Sequence, residues 1–193
     1  VLAVLIVAVV VVVLLLQWQR YTKSMMATDF FEQLQAMKKR GEVDEGQVAK
    51  GGLPRELKRT WLALIDKLGH GAFGDVWKGL LNDGDNRNTP EYMVACKVVK
   101  EASGSLDNAG FAAAEEELLK EALLMAQVDP HTNLVALVGV ITRGTPKILV
   151  LSFCEHGELQ GLLKKRAADG KAFAENEKCT FCREVAGGMA HLA

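Results

Sequence analysis

The chain opens on sixteen consecutive apolar residues, 1–16 (VLAVLIVAVVVVVLLL), with no charge among them. As a helix this run spans about 24 Å at about 1.5 Å per residue, slightly less than the roughly 20 residues a bilayer core requires. The first residue is Val, which leaves room for the span to start upstream. Trp18 and Tyr21 follow, with Arg20 and Lys23 beside them; such rings suit the headgroup layer, and the cations mark a cytoplasmic side. A secretory signal needs a basic n-region and a small-residue cleavage site, and neither is present. Residues 1–16 are therefore predicted to be a single transmembrane helix in contact with lipid, and a surface through which two copies could dimerise.

Residues 17–60 read as a mixed-charge juxtamembrane segment. Within it, residues 28–40 (TDFFEQLQAMKKR) suit a short helix, with Thr28 as cap and Gly41 as stop. Phe30, Phe31, Leu34 and Met37 fall at helical spacing beside Lys38, Lys39 and Arg40. Such a helix either lies on an anionic leaflet or packs on the next domain. Gly51, Gly52 and Pro54 punctuate the end of the region.

From Trp61 the period changes. Residues 61–69 and 75–79 suggest two strands around a glycine-rich turn, and 82–90 (NDGDNRNTP) a polar loop. Residues 92–100 (YMVACKVVK) read as a Val-rich third strand. Over 111–128 apolar residues recur at three- and four-residue steps, as in a helix. Residues 134–142 and 147–153 read as two further strands, and about 157–168 and 174–193 as helices. The expected class is α+β: five strands with one helix between the third and fourth, then helices only.

Lys and Arg number 23 against 24 Asp and Glu, a balance that argues against a nucleic-acid partner. Four cysteines (Cys96, Cys154, Cys179, Cys182) are too few and too scattered for a disulfide framework, and a reducing compartment fits them. Cys179 and Cys182 form one C-x-x-C, which lacks the second pair a structural zinc site needs. The histidines (His70, His131, His156, His191) share no spacing, so no metal site is expected.

Gly69, Gly71 and Gly74 form G-x-G-x-x-G, in which absent side chains let backbone N–H groups approach phosphate oxygens. A dinucleotide-binding turn opens directly into a helix. Here Asp75, Val76, Trp77, Lys78 and Gly79 follow instead, which suits a hairpin folded over phosphates. Strand alternation places Ala95 and Lys97 on one face and Cys96 on the other. Lys97 sits in an apolar run, and an ammonium buried there needs a partner. Glu121, at the edge of the helical apolar stripe, is favoured as that partner. Glu115, Glu116 and Glu117 are the alternatives, expected in the helix's first turn.

With these motifs in order, the chain resembles a protein kinase over about residues 62–193. Gly69 to Val76 matches the kinase G-x-G-x-x-G-x-V, and Val94-Ala95-Cys96-Lys97 resembles V-A-I-K. Residues 130–140 (PHTNLVALVGV) resemble the segment before the fourth strand, and 148–159 (ILVLSFCEHGEL) the fifth strand and hinge. The resemblance implies a five-stranded antiparallel N-lobe with one helix, followed by the first C-lobe helices. It also implies ATP and Mg2+ as cofactors, with Lys97 on the phosphates, held by Glu121. Leu68, Gly69, Gly71 and Gly74 would border the nucleotide, Val76 and Ala95 would sandwich the adenine, and Leu151 would be the gatekeeper. The Ser152 C=O and the Cys154 N–H would bond the adenine edge.

Residues 139–140, 158–162 and 183–192 are most similar to receptor-type tyrosine kinases. That implies a single-pass protein of the plasma membrane, with a cytoplasmic kinase domain over 61–193 and protein substrates. Residues 1–193 contain neither H-R-D nor D-F-G, which in kinases supply the base and a metal ligand. The chain is therefore expected to be truncated before the catalytic loop and to bind nucleotide without transferring phosphate. Competing readings are a non-catalytic pseudokinase receptor or scaffold, a serine/threonine kinase and a dinucleotide-binding oxidoreductase.

Overall fold

A computed structural model of the chain describes residues 30–41, 52–71, 74–83, 90–99 and 108–193. The expected membrane-spanning segment 1–16 and the Thr28 cap lie outside the described residues. Among the described residues no helix is long and apolar enough to cross a membrane.

Five strands, β1 (Leu62–Gly71), β2 (Gly74–Leu81), β3 (Tyr92–Val99), β4 (Leu137–Ile141) and β5 (Ile148–Ser152), form an antiparallel sheet in the order β1-β2-β3-β5-β4. Helix α1 spans Phe30–Lys39 and α2 Asn108–Ala126; α3 (Leu159–Ala168) and α4 (Glu175–Leu192) come last. The α2 helix carries the chain from β3 to the far edge strand β4, and β5 returns between them.

Strand alternation sorts the apolar residues into two cores. Val94, Cys96 and Val98 of β3 join Leu57, Leu81, Ile141, Ile148 and Val150 on one face. On the other, Val99, Val140 and Leu149 meet Ala114, Leu118, Leu119, Ala122 and Leu123 of α2, with Phe30, Leu34 and Met37 of α1. Of the two readings of the 28–40 helix, it is the packed one that the structure takes. Gly41, at φ +76°, ends it, a conformation that costs glycine nothing.

Residues 52–60, assigned to the juxtamembrane segment on sequence grounds, dock on the sheet edge. Glu56 bridges Val140 in parallel. Leu57 N donates to Val140 O at 2.7 Å, and Val140 N to Arg55 O at 2.8 Å. The Glu56 carboxylate accepts from Thr142 N and Oγ1, both at 2.8 Å. Arg55 forms a two-pronged pair with Asp83, both contacts at 2.7 Å.

Boundaries differ from expectation most at two element starts, each by three residues. β4 begins at Leu137 rather than 134, because the preceding residues serve α4. Leu134 N closes a turn on His131 O at 3.1 Å, and Asn133 Nδ2 donates to Glu184 O at 2.8 Å. Helix α2 begins at Asn108 rather than 111, so Glu115, Glu116 and Glu117 stand in its interior and not in its first turn.

Candidate functional site

The site is assembled by three neighbouring strands and α2. The β1–β2 hairpin pairs Gly69 with Val76 and Gly71 with Gly74, so the glycine motif is the hairpin's own end; Ala72 and Phe73 lie outside the described residues. Lys67 and Asp75 pair across it at 2.7 Å. On β3, Lys97 stands opposite Val76 of β2 and Leu149 of β5, and Ala95 opposite Lys78 and Leu151. Ala95 and Lys97 share the face on which Val99 is buried beneath α2, while Cys96 is buried on the opposite face.

Lys97 Nζ donates to Glu121 Oε2. Their side chains are 25% and 39% exposed, so the pair reaches water. An ion pair that solvent screens adds little stability; its consequence is orientation, because it ties β3 to α2 beside the hairpin. A cavity of about 250 Å³ lies next to it, lined by Val99, Leu118, Leu124 and Met125 together with the pair. The three upstream carboxylates are engaged elsewhere: Glu115 with Lys147 (3.2 Å), Glu116 with Arg40 (2.9 Å) and Glu117 with Lys120 (3.1 Å).

The glycines of the hairpin are not equivalent. A Cβ on Gly74 would stand 2.1 Å from the Val98 carbonyl oxygen, so the neighbouring strand demands glycine there; a Cβ on Gly69 would meet nothing within 4 Å. Gly69 has no left-handed φ either, so neither packing nor backbone conformation accounts for it.

The remaining positions lie along the strands. Leu68 is exposed on β1, Val76, Leu151 and Ser152 are half-buried, and Cys154 is exposed just past β5. Ser152 is held by Ala136, whose N–H donates to Ser152 Oγ (3.0 Å) and whose C=O accepts from Ser152 N (2.9 Å). Desolvation pushes the Cys96 thiol up to about 12, which makes it an inert packing residue.

Two contacts escaped the sequence reading. Lys78 Nζ lies 5.3 Å from the Phe153 ring centroid, joining β2 to the segment after β5. His131 and His191 stack at 4.7 Å, with His191 Nε2 donating to Asp129 O at 3.0 Å. Both link residues distant in the chain, and no local spacing signals them. Among the described residues no three His, Cys, Asp or Glu side chains gather into a metal site.

The family model described as protein tyrosine and serine/threonine kinase matches residues 62–193, and the chain belongs to that family. Its curated relatives include receptor tyrosine kinases. It is 30% identical to fibroblast growth factor receptor 1 of Dugesia japonica over 75% of this chain and 16% of that protein. It is 32% identical to the high affinity nerve growth factor receptor of Mus musculus over 71% of this chain and 17% of that one, and 29% identical to the insulin receptor of Xenopus laevis over 71% and 10%. The chain thus spans less than a fifth of the length of these relatives.

Proposed function

We infer that the chain is the nucleotide-positioning portion of a membrane-anchored receptor kinase, which as a whole transfers the γ-phosphate of ATP to protein tyrosine. The observation that carries this reading is the Lys97–Glu121 pair beside the glycine hairpin. An ammonium held by a helical carboxylate is aimed from one side, leaving its other N–H groups for phosphate oxygens. Gly69 fits a phosphate: its missing side chain leaves space that no protein atom fills. Ala95 and Val76, small and half-buried on adjacent strands, suit a flat ring, with Leu68 and Leu151 at its margins. The Ser152 carbonyl and the Cys154 N–H, at the end of β5, are assigned to the ring's polar edge.

ATP, when bound with magnesium, supplies the transferable phosphoryl group. The described residues offer magnesium no ligand set, and no step is assigned to it. Residues 1–193 also hold no H-R-D or D-F-G, so this stretch is assigned binding and orientation rather than transfer. Tyrosine is favoured as acceptor because the relatives above are receptor tyrosine kinases; a serine/threonine acceptor is the alternative within the same family. The anchor is assigned to residues 1–16, the juxtamembrane segment to 17–60 and the kinase domain to 61–193.

Calorimetric titration of the 193-residue chain with Mg-ATP and, separately, with NAD tests the nucleotide assignment. Saturable heat with ATP and none with NAD is expected. Binding of NAD alone, or of neither, defeats it.

A further inference from the structure

The sheet face that carries Lys97 presents two cross-strand rows. Gly69, Val76, Lys97 and Leu149 stand opposite one another in the first, and Asp66, Lys78, Ala95 and Leu151 in the second. The rows are two residues, or about 7 Å, apart along each strand. The first, with its glycine and its paired ammonium, is the phosphate end of the site, and the second is the ring end. At the ring end the Lys78 ammonium lies over the Phe153 ring, 5.3 Å from its centroid. The contact leans across β3, and β2 and β5 are about 10 Å apart there. Ala95 stands between them, and its single methyl leaves the lysine stem a way across. Strand alternation carried on from Leu151 puts Phe153 on this same face. Both side chains are half-buried, where a cation over an aromatic face is worth more than in open water.

Phe153 sits between the two backbone groups assigned to the polar edge of the ring, the Ser152 C=O and the Cys154 N–H. The pairing of β5 with β3 ends at Ser152, opposite Val94. Beyond that point the Lys78 contact ties the segment to β2. We propose that Lys78 and Phe153 are positioning residues for the base: their contact clasps the segment after β5 to β2 and so fixes the gap in which a flat ring meets Val76, Ala95 and the two backbone groups. The proposal rests on the reading of this cleft as a nucleotide site and extends it to the end away from Lys97. Its mark is selective: loss of the clasp weakens the hold on the base and spares the hold on phosphate.

The test uses the 193-residue chain carrying Lys78→Met, which keeps the stem and removes the charge, Phe153→Leu, which removes the ring, or both. Lys78→Arg, which keeps a cation over the ring, is the conservative variant. The probes are adenosine, a base without phosphates, and inorganic tripolyphosphate, phosphates without a base, with Kd read by NMR titration. Each single variant, Lys78→Met and Phe153→Leu, is expected to weaken adenosine by about two- to fivefold. The double variant should lose no more than the more affected single, because either change alone breaks the clasp. Tripolyphosphate should bind all of them equally, and Lys78→Arg should hold adenosine as the unsubstituted chain does. Unchanged adenosine affinity in Lys78→Met overturns the proposal, as do additive losses in the double variant. A loss confined to tripolyphosphate also overturns it, since Lys78 would then be a general counter-charge. Hydrogen exchange without ligand is the second readout. The Ser152 N–H, bonded to Ala136 O at 2.9 Å, should exchange faster in Lys78→Met and Phe153→Leu, with the Val150 N–H of the same strand as reference. If the unsubstituted chain binds neither probe, the proposed function fails, and Ser152 exchange alone decides whether Lys78 clasps the segment; no change there overturns the clasp.

Discussion

Lys97→Met removes an ammonium and keeps an unbranched apolar stem of similar volume. Lys97 and Glu121 side chains are 25% and 39% exposed, so their attraction is screened and worth about 0–1 kcal/mol. Glu121, left alone, can turn to water, so the penalty of about 3–5 kcal/mol for a stranded buried charge does not arise. Met also suits the adjacent cavity lined by Val99, Leu118, Leu124 and Met125. Stability should therefore fall by less than about 1 kcal/mol, which for a chain of this size is a Tm decrease of at most about 4 °C. A lost charge-assisted hydrogen bond to phosphate costs about 1.5–3 kcal/mol, which is roughly ten- to a hundredfold in Kd. Scanning calorimetry and Mg-ATP titration of the same two samples separate the terms. A large drop in Tm with unchanged ATP affinity would refute the reasoning, because the pair would then be a structural strut rather than a ligand contact.

Two further outcomes follow from the packing. Gly139→Ala places a Cβ 2.5 Å from Arg55 O and 2.9 Å from Leu57 Cγ; overpacking of this kind costs about 1–3 kcal/mol. Hydrogen exchange should show the loss concentrated at Leu57 and Val140, whose N–H groups form the docking bonds. The Cys96 thiol rises from 9.0 to about 12 on burial. Its contribution to stability is thus complete below pH 9.0 and is lost as the pH rises toward about 12. At pH 8.5, iodoacetamide should modify Cys154, Cys179 and Cys182, which are exposed, and reach Cys96 only after denaturation.

The strand and helix order was legible because its periods are local: alternation in β3, three- and four-residue steps in α2. Glu121 could be chosen over Glu115, Glu116 and Glu117 because register with an apolar stripe is also local. Those three do not stand in the helix's first turn, where the sequence placed them, because the helix starts at Asn108. They lie in the helix interior, engaged by Lys147, Arg40 and Lys120, and two of these partners come from distant segments. Residues 52–60 were opaque for the same reason. Gly52, Leu53 and Pro54 look like a linker, and docking shows only in bonds such as Leu57 N to Val140 O at 2.7 Å, to a partner more than eighty positions away. Equally, nothing in the spacing of Phe30, Leu34 and Met37 distinguishes a leaflet from a neighbouring helix; the choice depends on whether α2 offers a complementary groove.

Gly69 and Gly74, both of the glycine motif, separate what the fold needs from what a ligand needs. Gly74 approaches Val98 so closely that an added Cβ would stand 2.1 Å from its carbonyl oxygen. Gly74→Ala must therefore part β2 from β3, with a cost of at least about 1–3 kcal/mol. Gly69 has open space where a Cβ would go and no left-handed φ. At such a position Gly→Ala narrows the unfolded ensemble and stabilises by about 0.4–1 kcal/mol. A glycine that neither packing nor backbone conformation requires is explained if something outside the protein must approach the backbone there. Gly69→Ala should then raise Tm slightly while weakening Mg-ATP binding, a divergence that a purely structural glycine cannot produce. If Gly69→Ala binds Mg-ATP as tightly as the unsubstituted chain, the hairpin does not press its backbone on phosphate at that residue. Lys97 would then be the phosphate contact that remains.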